Sequence, residues 1–282
     1  MVDNLILIVL YNKKIEDSTT VRNLLECKTL SNSKVVIWNN GPLSIPLNNI
    51  NERFIDCGYQ FEYIEELTNS SLAKVYNSVL RIPASKYIIL DHDSTVNESY
   101  LKEVVIISSN EVGMPRIYSG NQLVNPCINM LPIVDVSSRL SGEVITTIGS
   151  GLVIGNAVAS LMKDKFGEVF DERFILYGVD TTFCYRLHSL DKKATIKIIN
   201  GFEHSLSRLE SHNENLETLI FRKKERSCDL GLRIRFYSVG RIRELTSYLL
   251  SSCKRFLLRR EQQYYFLIVL HCIIFGKHIR KH

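Results

Sequence analysis

An α/β fold, with a mostly parallel sheet flanked by helices on both faces, is what the first ninety residues of this 282-residue chain predict. Short apolar runs that stop at polar residues alternate with stretches of helical periodicity. Asn12, Asn39-Asn40 and Asp91-His92-Asp93 each close one of the apolar runs. Ligands of such sheets bind beyond the carboxyl ends of the strands, so these three clusters should converge on one edge.

Residues 5–10 (LILIVL) form a run that is too short for a membrane span. It has no basic residues before it and no small-residue cleavage site after it, so it reads as a buried strand rather than a signal peptide. A helix is expected over 19–28, a second strand over 34–38 ending at Asn39-Asn40-Gly41-Pro42, and a short third strand over 61–64. Leu72, Val75, Tyr76, Val79 and Leu80 recur at helical spacing within 71–80. Residues 86–90 form a further apolar strand, stopped by Asp91. A helix is expected at 100–108, strands at 113–118, 144–154 and 195–200, and a loop running into a helix over 174–188.

Hydrophobic residues make up 45% of the chain and charged residues 23%, which places it among folded globular proteins rather than disordered ones. The net charge of +5 is unevenly spread. Residues 222–282 hold fifteen Lys/Arg against four Asp/Glu, whereas the remainder is mildly acidic. Composition therefore divides the chain into a body, 1–220, and a basic helical appendage, 221–282. The seven cysteines are scattered and form no C-x-x-C pair, which argues for reduced thiols and against a zinc site.

Asp91-His92-Asp93 sits at the end of a buried strand, where two carboxylates can face one cleft. Hard cations such as Mg2+ or Mn2+ favour such oxygens and bridge to phosphates. By position alone, the pair serves equally well as a solvated turn or a cap for the next helix.

Four segments then bring a specific resemblance. They are Val9-Leu10-Tyr11-Asn12, Val35-Val36-Ile37-Trp38-Asn39-Asn40-Gly41, Asn69-Ser-Ser-Leu-Ala73-Lys-Val-Tyr-Asn77 and Leu90-Asp91-His92-Asp93-Ser94. In order and spacing they resemble glycosyltransferase family 2, and within it the bacterial rhamnosyltransferase-like and galactofuranosyltransferase-like members. Downstream, Ile148-Gly149-Ser150-Gly151 resembles an acceptor-side Ser-Gly loop. Residues 174–186 resemble the family's Tyr-Gly-Glu-Asp-x-Asp-x-Cys-x-Arg segment, with Val179 and Thr182 in place of two acids and Asp180 retained.

The resemblance implies a GT-A fold, Rossmann-like and binding a nucleotide-sugar. It implies Asp91 and Asp93 as metal ligands for Mg2+ or Mn2+, with His204 completing the metal site or touching the diphosphate; a His held structurally by Glu203 is the plainer alternative. Asp180 would be the catalytic base, since an acceptor hydroxyl needs a carboxylate to take its proton. On the donor side it implies Asn12 and Asn39 at the edge of base and ribose, Lys74 or Asn77 near the diphosphate, and Tyr11, Asn40 and Asp91 as further donor-binding residues. Ser150 and Gly151 would lie on the acceptor side.

The expected function is inverting, metal-dependent transfer from a dTDP-rhamnose-like or UDP-hexose/galactofuranose-like donor to a growing, lipid-linked surface polysaccharide such as an O-antigen. The alternative is a catalytically weakened GT-A domain that binds nucleotide or glycan within an assembly.

The appendage interleaves Arg233, Arg235, Arg241, Arg243, Lys254, Arg255, Arg259 and Arg260 with apolar residues, and residues 264–275 are nearly all apolar. This pattern suits a peripheral contact with the cytoplasmic face of the inner membrane, or a helix packed on the body with a charged outer face. No zinc-finger or RRM signature supports nucleic-acid binding. The first strand leads into Tyr11-Asn12-Lys13-Lys14 rather than G-x-G-x-x-G, which argues against a dinucleotide oxidoreductase.

Overall fold

The structure is a computed structural model that describes every residue except 28–29, 135–142, 205–214 and 281–282. Lys28, at the end of the first expected helix, lies outside the described residues. The chain runs β1 (Val2–Leu10), α1 (Thr19–Glu26), β2 (Ser33–Asn39), α2 (Ile50–Asp56), β3 (Gln60–Glu65), α3 (Leu72–Val79), β4 (Ala84–Asp91), α4 (Glu98–Val105), β5 (Glu111–Ser119) and β6 (Gln122–Asn125). It continues through β7 (Cys127–Ile128), β8 (Leu131–Pro132), β9 (Ile145–Thr146), β10 (Leu152–Gly155), α5 (Asn156–Phe166), α6 (Val179–His188), β11 (Thr195–Glu203), α7 (Leu216–Phe236), α8 (Arg241–Leu257) and α9 (Phe266–Phe275).

The main sheet has the order β11-β5-β10-β4-β1-β2-β3, with β6 paired to β5. Along that path only β10 runs antiparallel to its neighbours. β1 is flanked on both edges and covered on both faces, so it is buried from Asn4 to Leu10, as central parallel strands are. Side chains alternate between two cores. Leu5, Leu7, Val9, Val36 and Ile89 pack with α3, α5 and α6; Ile6, Ile8, Leu10, Val35, Ile37 and Leu90 pack with α1, α2 and α4. The order reverses between β1 and β4, where Val9 pairs with Asp91 and Leu10 pairs with Asn39 across the other edge. The polar strand ends thus meet at the switch point, as expected.

The expected strand over 144–154 is instead two. β9 joins a small sheet with β7 and β8, and β10 joins the main sheet. The chain turns between them: Leu152 N–H donates to Gly149 O, and Gly151 has φ +84°, a conformation that side chains with a Cβ disfavour. A Cβ at Gly151 would also stand 2.6 Å from Pro115 Cγ and 2.8 Å from Phe202 Cζ. This turn places Ser150 beneath Asp91.

The compositional change near residue 220 falls inside α7 rather than between elements. Cys228 and Leu232 of α7 belong to the core shared with α3, α5 and α6. Tyr237 donates to Asp171 Oδ2 at 2.7 Å and accepts from Arg186 Nε at 2.9 Å. α9 packs on α7, where Val269 and Cys272 crowd Gly231. No helix among the described residues is long and apolar enough to cross a membrane.

Candidate functional site

β4 carries Asp91 to the sheet edge, and the N-terminal end of α1 holds the turn that follows. Ser18 caps α1 by accepting from Val21 N–H and donates to His92 O at 2.8 Å. Thr20 Oγ1 donates to Asp91 O and accepts from Ser94 N–H at 3.0 Å. On the other side, Ser150 Oγ accepts the Asp91 N–H at 3.1 Å and lies 2.5 Å from Ser94 Oγ. Ser18 and Thr20 are positioning residues that sequence reasoning missed, their only local signal being a Ser-Thr-Thr helix start that reads simply as a cap; Ser94, which ends the Leu90-Asp91-His92-Asp93-Ser94 segment, gains its positioning role only here.

The end of β11 closes the site. Thr95 N–H donates to Glu203 O, His204 N–H donates to Tyr118 O, and Ser94 and His204 form an antiparallel bridge. His204 is therefore delivered by backbone pairing. Its Nε2 lies 3.6 Å from Asp91 Oδ2 and its Nδ1 lies 3.5 Å from Asp93 Oδ1, with Ser94 Oγ 3.2 Å from Nδ1. One ligand atom from each of Asp91, Asp93 and His204 falls within 4.8 Å of the others. Two carboxylates and an imidazole at that spacing suit a divalent cation. His204 is buried, whereas both aspartates keep part of their side chains open to a substrate. Crowding by protein raises the Asp91 carboxyl above the usual range. His204 opposes that shift and the Asp93 charge adds to it.

Asp180 lies in the first turn of α6, behind Gly178, which takes the N-cap position with φ +83°. It is not itself the cap. It approaches the site across Gly149, where a Cβ would stand 2.9 Å from Asp180 Oδ1 and 3.1 Å from the Tyr76 hydroxyl. Asp180 Oδ1 is buried with no hydrogen-bond partner among the described residues. Burial, and then the Asp91 charge, push its carboxyl up to about 7; the nearby Gly149 amide offsets part of this. Burial also pushes the Tyr76 phenol well above its ordinary range, helped by Asp91 and Asp180. Tyr76 is a further residue at the site, one that its helical spacing marked only as core. Val179 is buried, and the buried Thr182 donates to Gly178 O at 2.7 Å, so Asp180 supplies the acid in this segment.

The donor-side residues divide into two groups. Tyr11 is exposed and Asn12 follows it at the same edge with φ +50°, its N–H bonded to Gly41 O. Lys74 is exposed on α3. Asn39 faces inward instead: its amide donates to Leu43 O and Glu65 Oε2 and accepts from Gly41 N–H. Asn40 donates to Ser70 O at 2.9 Å and its Oδ1 is buried without a partner among the described residues. Asn77 pins residues 170–172 by donating to Phe170 O and Glu172 Oε1 and accepting from Phe170 N–H. Ser150 likewise points at Asp91 and Ser94, and Gly151 donates to Ile89 O within the sheet.

The switch point of a mostly parallel sheet, where ligands of such α/β folds bind, thus carries two aspartates and a histidine spaced to hold a metal ion, with a half-buried acid beside them. No protein-family model matches the chain, and no curated protein sequence matches it. Among solved structures it is similar to TarS of S. aureus, at 15% identity over 83% of this chain and 44% of that one, with a TM-score of 0.50. It is similar also to TarS 1-349 in complex with UDP, at 16% identity, 84% and 74% coverage and TM-score 0.50. For TarS 1-349 in complex with UDP-GlcNAc the values are 16%, 86% and 69%, and 0.51. The chain spans less than half the length of the longer TarS chain. At this identity the likeness concerns the fold, which is the GT-A type of α/β arrangement expected from the sequence.

Proposed function

We propose that this chain is a glycosyltransferase that moves a sugar from a nucleotide-diphosphate donor, with inversion, onto a glycan acceptor. The observation that carries this reading is the convergence of Asp91, Asp93 and His204 within 4.8 Å, with Asp180 against Gly149 and within electrostatic reach of Asp91. The likeness in fold to a protein crystallised with UDP-GlcNAc supports it.

Asp91, Asp93 and His204 would hold a Mg2+ or Mn2+ ion. Such an ion, when bound, supplies positive charge against the departing diphosphate. Tyr11, Asn12 and Lys74 would contact the donor, and Asn39, Asn40 and Asn77 would shape the walls behind it. Ser150 and Ser94 fix the Asp91 turn. Asp180 takes the proton of the acceptor hydroxyl as the new C–O bond forms, and its position near neutrality suits a general base.

For the finer identity we favour a rhamnosyltransferase-like or galactofuranosyltransferase-like member of family 2. The acceptor would be a lipid-linked surface polysaccharide at the cytoplasmic face of the inner membrane, and the basic segment after residue 220 supports that address. A thermal-shift screen of nucleotide-sugars with Mn2+ present tests the reading, because a ligand that binds only the native state raises the apparent melting point. A metal-dependent shift for one nucleotide-sugar, followed by transfer, is expected. Indifference to every nucleotide would overturn it.

A further inference from the structure

Helix α8 is turned the wrong way round for a helix packed on a soluble body. None of its seventeen residues is buried. Ile242, Leu245, Leu249, Leu250, Cys253, Phe256 and Leu257 recur at helical spacing and form one stripe about 140° wide. Most of that stripe points away from the protein, with Leu250 72% exposed and Phe256 76%, while its Leu245 edge faces Ile234 and Phe236 of α7 and Ile273 of α9 across a second groove. The polar side faces inward, where Glu244, Ser247, Ser251 and Arg255 line a groove of about 260 Å³ opposite Leu230 and Ile234 of α7. The neighbouring helix α9 has no charged residue and adds Leu267, Ile274 and Phe275 to the exposed apolar surface, Leu267 at 77%.

Charge is arranged around the stripe. On the helical wheel, Arg243 and Lys254 border one side and Arg241 the other, while Glu244 lies opposite. Between residues 237 and 280 there are eight Lys/Arg and two Asp/Glu. An apolar stripe with basic borders matches a layer of acyl chains beneath anionic headgroups. A second copy of the chain matches it less well, because in a two-fold pairing the basic borders would meet each other.

We propose that α8, together with the exposed flank of α9, is an interfacial anchor lying in the headgroup layer of an anionic bilayer, apolar stripe inward. This inference deepens the membrane address of the proposed function. It rests on that reading only for the acceptor's location, and its test uses neither donor nor turnover.

The test is flotation of the full chain with vesicles of phosphatidylcholine alone and of phosphatidylcholine mixed with phosphatidylglycerol. The chain should float with the anionic vesicles and release as salt rises. A Leu250→Glu/Phe256→Glu variant should lose at least about tenfold in binding, and Arg243→Ser/Lys254→Ser about tenfold. All four side chains lie on the exposed outer surface of α8, so unchanged thermal unfolding should accompany these losses. Failure to float with anionic vesicles, or undiminished binding by the glutamate variant, would overturn the inference. A dimer in sedimentation that the glutamate variant abolishes, without flotation, would assign the surface to a second copy instead. Donor binding measured separately on the same preparations keeps this outcome distinct from failure of sugar transfer.

Discussion

The hydroxyl of Ser150 accepts the backbone N–H of Asp91 at 3.1 Å while standing 2.5 Å from the hydroxyl of Ser94, which in turn lies 3.2 Å from His204 Nδ1. A buried serine thus ties together the strand end bearing one proposed metal ligand and the imidazole of another. Groups that orient ligands in this way commonly change metal affinity by about 10–100-fold when removed. Ser150→Ala should weaken Mn2+ binding by about that range, read by titration calorimetry. Unchanged affinity would show that the turn is held by Ser18 and Thr20 alone.

Asp180 is the residue on which the chemistry turns. Asp180→Asn should preserve nucleotide-sugar binding and reduce the transfer rate by roughly 10²–10⁴-fold, the usual share of a general base. Donor binding by thermal shift and turnover with acceptor separate the two effects. Full activity in the variant would remove Asp180 from the base role.

The pH dependence follows from the same side chain. Its folded-state carboxyl is pushed up to about 7, by burial first and by Asp91 second. As a base it must be ionised, so the rate should rise with pH up to about 7, and a cation that offsets the Asp91 charge should move that limb lower. The stability effect has the opposite sign. Between the unfolded-state value near 4 and about 7, the unfolded chain has released this proton and the folded chain still holds it, so stability falls as pH rises. Without metal, Asp180→Asn should therefore melt higher than the parent at about pH 8, with the difference vanishing toward pH 4. Melting curves across that range check the sign.

Asn77 distinguishes a wall from a contact. Its amide makes three bonds to the 170–172 segment, so Asn77→Ala should cost about 1–3 kcal/mol of stability by leaving buried groups unpaired. The folded fraction should bind donor as before. Lost donor affinity with unchanged stability would instead make Asn77 a ligand contact.

Gly151 carries a strict demand. With φ +84°, and Pro115 and Phe202 against any added methyl, Gly151→Ala should destabilise the protein by about 2–5 kcal/mol, combining left-handed strain with overpacking. Denaturant unfolding would register it as a lower midpoint.

The first four strands, their parallel character and the meeting of Asn12, Asn39-Asn40 and Asp91 at one edge were legible in the chain. Apolar runs and helical spacings are local, and right-handed crossovers leave such strand ends little choice of where to go. Asp180 and His204 were found through family likeness rather than periodicity. Tertiary structure alone decided the fates of individual polar side chains. Asn39 and Asn77, polar and well spaced for a ligand, turn inward to hold Leu43 and Phe170. Thr20, seen only as part of a helix start, clasps the Asp91 turn. The Tyr76 hydroxyl and the Asp180 carboxylate both stand against Gly149, and most of the apolar stripe of α8 faces outward. A hydrogen bond is satisfied by whichever group the fold brings within about 3 Å, and that partner can be a hundred residues away. Composition and spacing say which residues seek burial or a partner, and only the packed chain says which of them find one inside the protein.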